Sequence, residues 1–146
     1  MKLITHFAAI ASLAFAATSA WADTATLKIG KQTVRAEIVN TPQSRERGLM
    51  GRESLCSECG MLFVFNRADR YAFWMKNTPL PLSIAFIASD GTIINTDEMQ
   101  PHTTNTHSSQ GDALYALEMN SKWFAHNKIK PGDKVIGLER VPKAHQ

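Results

Sequence analysis

The sequence predicts an α+β fold that is mostly β: a compact, curled, antiparallel-rich sheet or small barrel edged by two short helices. Three observations carry that expectation. Segments of strand length alternate apolar and polar residues along most of the chain. Turn signals separate them at Gly30-Lys31, Asp90-Gly91 and Pro131-Gly132-Asp133. Only two stretches carry helix-start signals, and both are short. The 146 residues, 44% hydrophobic and 20% charged, suit one domain with a real core.

Residues 1 to 22 have the pattern of a secretory signal peptide, with residues 23 to 146 as the single domain. Lys2 supplies the basic start, an Ala-rich run from about Phe7 to Ala17 the apolar centre, and Ala20 and Ala22 the small residues before a cut at Asp23. The run is short and Ala-heavy for a membrane span, and neither an Arg-Arg pair nor a Cys directly after the cut indicates another route. The expectation is Sec-type export to the periplasm or medium, with no stable membrane insertion after cleavage.

Leu27 to Gly30 and Thr33 to Val39 alternate around Gly30-Lys31 and read as a β-hairpin. Thr41-Pro42 then announces a helix of about nine residues, with Thr41 as N-cap, Pro42 in the first turn and Gly51 as C-cap. Gly60 to Phe65 is an apolar run of strand length. Tyr71 to Lys76 alternates with period two, placing Phe73 and Met75 on one face and Trp74 and Lys76 on the other. Asn77-Thr78-Pro79 breaks that strand, and Ser83 to Ala88 and Thr92 to Asn95 flank the Asp90-Gly91 turn, so these three strands should be neighbours. The thirteen polar residues from Gln100 to Asp112 form a long aperiodic loop. Leu114 to Met119 restores a strand, Trp123, Phe124 and Asn127 fit a short helix opened by Asn120 or Ser121, and Lys134 to Glu139 forms the last strand.

Composition narrows function more by exclusion than by assignment. Sixteen Lys and Arg against 13 Asp and Glu give a formal charge of only +3, scattered along the chain, which is no footprint for nucleic acid. The chain has no Gly-x-Ser-x-Gly, no His-Glu-x-x-His, no phosphate loop and no dinucleotide fingerprint. Glu98, Glu118, Asp97 and Asp133 could act as acid and base, but no spacing pairs two of them.

Several runs are specific as a set: Arg47-Gly48-Leu49-Met50-Gly51-Arg52, Gly60-Met61-Leu62-Phe63-Val64-Phe65, Phe73-Trp74-Met75-Lys76-Asn77-Thr78, Pro81-Leu82, Tyr115-Ala116-Leu117-Glu118 and Pro131-Gly132-Asp133. In these the chain resembles the domain-of-unknown-function family numbered 192 over essentially everything after residue 22. The resemblance implies a compact β-rich fold and no established reaction, and it makes Glu118 the best single candidate for a hydrolytic carboxyl. The chain departs from the family at Ser83, where an acidic residue is usual, so no carboxylate scheme carries over there. The pair Cys56 and Cys59 is not a general family feature either.

Two constellations remain. Cys56-Ser57-Glu58-Cys59 reads as a structural disulfide clip in an oxidising compartment, as a redox pair, or as half of a soft metal site for copper or zinc completed by His102 and His107. The motif follows a helix and precedes a strand, the reverse of a thioredoxin-like arrangement. Met50, Met61 and Met75 stand in apolar contexts where Met is commonly core filler, and histidines in a polar loop are commonly surface residues.

Trp74, Lys76, Asn77 and Arg47 form the second constellation: a flat apolar platform beside cations and an amide, suited to a small polar ligand. The competing reading packs Trp74 under the first helix, with Lys76 snorkelling and Asn77 capping a turn. The residues therefore point to an exported noncatalytic binding module with no cofactor, taking a small polar ligand or an envelope partner through Arg47, Trp74, Lys76, Asn77 and Glu118. The alternative is a metal- or thiol-handling protein built on Cys56, Cys59, His102 and His107.

Overall fold

The fold follows from a hairpin that starts a sheet, one short crossover and a series of antiparallel additions. In the computed structural model, residues 23–145 are described, so the signal-peptide expectation for residues 1–22 falls outside them. The first hairpin is β1 (Thr24–Ile29) and β2 (Gln32–Val39), turning at Gly30 with φ 58°. Helix α1 (Pro42–Arg47) buries none of its residues, so packing does not explain it. Its ends do: the Thr41 hydroxyl accepts from the Ser44 amide at 3.1 Å and the Ser44 hydroxyl accepts from the Thr41 amide at 3.1 Å.

The helix carries the chain into β3 (Cys59–Asp69), which runs parallel to β2. The remaining elements are β4 (Ala72–Phe73), β5 (Leu82–Ile87), β6 (Ile93–Met99), β7 (His107–Ser108), β8 (Ala113–Asn120), α2 (Trp123–His126), β9 (Val135–Ile136) and a 3₁₀ turn at Leu138–Arg140. Seven strands make one sheet in the order β6-β5-β8-β3-β2-β1-β9, and every neighbouring pair except β2–β3 is antiparallel. The sheet curls until its edges meet. Thr92 bridges Lys134, the Ile93 amide donates to the Asp133 carbonyl at 2.9 Å, and the Val135 amide donates to the Gly91 carbonyl at 2.8 Å.

Strand alternation sorts the core into two faces. One holds Leu27, Val34, Leu62, Ala85, Leu117 and Met119 and is plugged by Trp123 and Phe124 of α2. The other holds Met61, Phe63, Ile84, Phe86 and Ala116 and is covered by Leu49, Met75 and Leu80. Among the described residues no helix is long and apolar enough to cross a membrane.

The mostly β, curled architecture and its two short helices match expectation, and several details do not. Tyr71 to Lys76 is not a full strand: only Ala72–Phe73 pairs, and it pairs with β7 in a separate two-stranded ribbon rather than beside β5 and β6. The cause is a turn at Lys76-Asn77, with Asn77 left-handed at φ 55° and the Thr78 amide donating to the Met75 carbonyl at 3.1 Å. The expected division of faces survives nonetheless, with Met75 1% and Trp74 49% exposed.

Helix α1 has six residues, because Gly48, with φ 47° and ψ −133°, ends it before the expected Gly51. Helix α2 is opened by Lys122 at φ 63° rather than by Asn120 or Ser121, since Asn120 continues β8 and its amide holds the Leu55 and Cys56 carbonyls. The last strand shrinks to two residues because Gly137, at φ 107°, turns the chain into the 3₁₀ segment. The loop from Gln100 to Asp112 is not wholly aperiodic, since it supplies β7.

Candidate functional site

A row of carboxylates crosses one face of the sheet. Register places Glu37 opposite Met61, Met61 opposite Glu118, Glu118 opposite Ile84 and Ile84 opposite Asp97, so these five side chains share a face on β2, β3, β8, β5 and β6. The outer two are partnered. Glu37 takes two hydrogen bonds from the Arg52 guanidinium, at 3.0 and 2.6 Å, and Asp97 meets His107 Nδ1 at 2.6 Å.

The middle one is not. Glu118 is 4% exposed and its carboxyl has no hydrogen bond among the described residues. Burial alone pushes its pKa up to about 8, so near neutral pH it keeps its proton.

Glu118 lines a cavity of about 270 Å³ on the same face. The walls are aromatic because β3 alternates: Phe63 and Phe65 point the way Met61 does, and Tyr71 and Phe73 return over them at the start of the ribbon. Phe63 and Phe73 meet edge to face with centroids 4.8 Å apart, and Phe65 and Tyr71 stack at 3.6 Å. The short helix α1 places Arg45, Glu46 and Arg47 at the mouth. Arg45 is held there by one hydrogen bond from its guanidinium to the Val64 carbonyl at 3.0 Å, and it lies 5.9 Å from the centre of the Phe65 ring. Trp74 forms the rim, half exposed, with Lys76 Nζ 5.3 Å from the centre of its ring.

Of the residues the sequence singled out, Arg47, Trp74 and Glu118 converge on this cavity. Trp74 does not pack under α1, as the competing reading had it. Lys76 reaches the cavity only through its contact with Trp74. Asn77 is a turn residue whose carbonyl accepts from the Gly51 amide at 2.9 Å, which ties the loop after α1 to the Trp74 segment.

Cys56 and Cys59 are joined in a disulfide, so neither sulfur is a thiolate that could hold copper or zinc. His102 is an exposed turn residue at φ 60°, whereas His107 is buried against Asp97 and Asn105. Among the described residues no three His, Cys, Asp or Glu side chains are grouped to hold a metal ion, so the expected soft-ligand set does not assemble.

Sequence reasoning passed over Arg45, the better anchored of the two arginines, and the walls Phe63, Phe65, Tyr71 and Phe73. The signal was there in the alternation of 61, 63 and 65, but it needed the register with β8 to become a site.

A curled, mostly antiparallel sheet with an aromatic cavity that Glu118 lines defines the molecule as a small β-rich protein with a pocket on one face of its sheet. The family model for domain-of-unknown-function family 192, described as an uncharacterized ACR, matches residues 25–137, and the chain belongs to that family. Two solved structures are similar to it. One, from Sinorhizobium meliloti 1021 and described as a candidate transcription regulator, is 34% identical with a TM-score of 0.76, over 79% of this chain and 94% of that one. The other, a protein of unknown function from Novosphingobium aromaticivorans DSM 12444, is 34% identical with a TM-score of 0.74, over 77% of this chain and 84% of that one. No curated protein matches the chain.

Proposed function

We propose that this protein is an exported binding module whose cavity over Glu118 takes a small polar ligand. The observation that carries the reading is the Glu118 carboxyl itself. It is the one carboxyl of its row that no described protein group hydrogen-bonds, whereas its two counterparts are both partnered, and it lines the cavity. A ligand in the cavity can therefore hydrogen-bond it, and the aromatic walls supply apolar contact for the rest of the molecule. Export is supported by the signal-like pattern of residues 1 to 22 and by a disulfide that persists in oxidising compartments.

The test is a fragment screen by thermal shift, followed by titration calorimetry on hits. Glu118→Leu and Trp74→Ala are each expected to weaken cavity ligands by about tenfold, the equivalent of one lost hydrogen bond or stacking contact. Replacing both Cys56 and Cys59 by Ser should leave affinity within about twofold. Hits that ignore Glu118 and Trp74 but require the cysteines would overturn the proposal.

A further inference from the structure

We infer that the cavity is built for a ring-bearing organic monoanion, its ring against Phe63, Phe73 and Trp74, its charge at Arg45 and Arg47, and an acceptor elsewhere on the ring taking a hydrogen bond from the Glu118 carboxyl. The inference rests on the proposed binding role and adds the class of ligand.

Charge selects the anion. The charged groups of α1 facing the cavity are Arg45, Glu46 and Arg47, two positive and one negative. The segment before β4 adds only Tyr71, whose hydroxyl already donates to the Arg67 carbonyl at 2.9 Å. Glu118's neighbours on β3 and β5, Met61 and Ile84, do not titrate, and the next carboxylates in the row are paired with Arg52 and His107. With Glu118 protonated the lining carries one net positive charge, which a monoanion neutralises. A cation would have to pass two guanidiniums and ionise a buried carboxyl to gain its partner.

Arg45 is suited to the anion in a second way. Its one bond to Val64 fixes the guanidinium but uses one of five donors, leaving the others for a carboxylate. Size selects a single ring: a cavity of about 270 Å³ lies just below the range that encloses drug-sized ligands. The walls favour a flat face, because Phe63 and Phe73 already meet edge to face and Trp74 adds a further ring at the rim.

The experiment is titration calorimetry of the full exported chain, disulfide intact, with three probes: 4-carbamoylbenzoate, benzoate and benzylammonium. The first should bind tightest, benzoate about tenfold more weakly for lack of an acceptor at the floor, and benzylammonium not measurably. Arg45→Gln and Arg47→Gln should each weaken the two anions by about tenfold and leave the fold intact, since both side chains project from a helix that buries nothing. Affinity for 4-carbamoylbenzoate should fall as the pH rises from about 6 to about 9 and Glu118 loses its proton, and Glu118→Gln should remove that dependence.

Preferential binding of benzylammonium, or anion affinity indifferent to both arginine substitutions, would overturn the inference, as would no binding of 4-carbamoylbenzoate at millimolar concentration. In any of those cases fragment hits that still depend on Trp74 and Glu118 keep the binding role, and their absence removes it as well.

Discussion

Glu118 sets the chemistry at the scale of single residues. Its proton-binding equilibrium is displaced from an ordinary 4.5 to about 8 by burial, so between those values the folded chain keeps a proton that the unfolded chain has lost. Folding stability from this group is therefore complete below about pH 4.5, declines as pH rises to about 8, and is level beyond. At about 1.4 kcal/mol per unit, the decline amounts to a few kcal/mol. Thermal denaturation should accordingly show the wild type losing stability from about pH 5 to about pH 8 relative to Glu118→Gln, with the two curves parallel above that range. In the sequence Glu118 stands out through the family-like run Tyr115-Ala116-Leu117-Glu118. That run does not show that the carboxyl lacks a partner, because that depends on register with Met61 and Ile84. Arg45 and Arg47 differ for a related reason: both line the cavity from α1, and only the position of the Val64 carbonyl decides which is anchored.

Among the elements, α1 and the loop after it position the mouth of the cavity, and both depend on backbone chemistry rather than burial. Thr41→Ala removes the bond that its hydroxyl accepts from the Ser44 amide and should cost about 1 kcal/mol in urea denaturation. Gly48→Ala should cost about 1–3 kcal/mol, since its φ and ψ suit glycine alone and the new Cβ would stand 3.3 Å from the Phe63 ring. The Cys56–Cys59 disulfide closes a very short loop, so reducing it should lower stability by no more than about 2 kcal/mol while leaving the sheet in place. Thr41, Pro42 and the cysteine pair were legible as local signals. The brevity of β4 was not: Tyr71 to Lys76 alternates like a strand, but pairing length is set by the partner, and β7 offers only His107–Ser108. Nor does alternation reveal a turn at Asn77, where an ordinary residue takes a left-handed conformation.

For the whole molecule, the curl of the sheet makes the site possible. Closing the edges at Thr92 and Lys134 encloses one face as core, and the opposite face is left to be covered by short segments that leave a cavity over β8. The strand-rich class and the hairpins were readable from periodicity and turn residues, whereas the parallel β2–β3 pair that lets α1 cross to the cavity is a long-range choice with no local mark. The proposed export is tested at this scale too. Mass spectrometry of the protein recovered from the periplasm should give the mass of residues 23 to 146 less two hydrogens for the disulfide. Full-length mass in the membrane fraction would contradict export as a free domain.

Whether burial holds the Glu118 carboxyl uncharged in the cavity is tested most directly by carbon-detected NMR titration of that side chain between about pH 4 and about pH 10. A midpoint near 8, moving higher when 4-carbamoylbenzoate is bound because the ligand accepts the Glu118 proton in a hydrogen bond, is the result this account requires. A midpoint near 4.5, unmoved by the ligand, would mean that the carboxyl is ionised and already satisfied at neutral pH, and the cavity would lose the feature that marks it as a site.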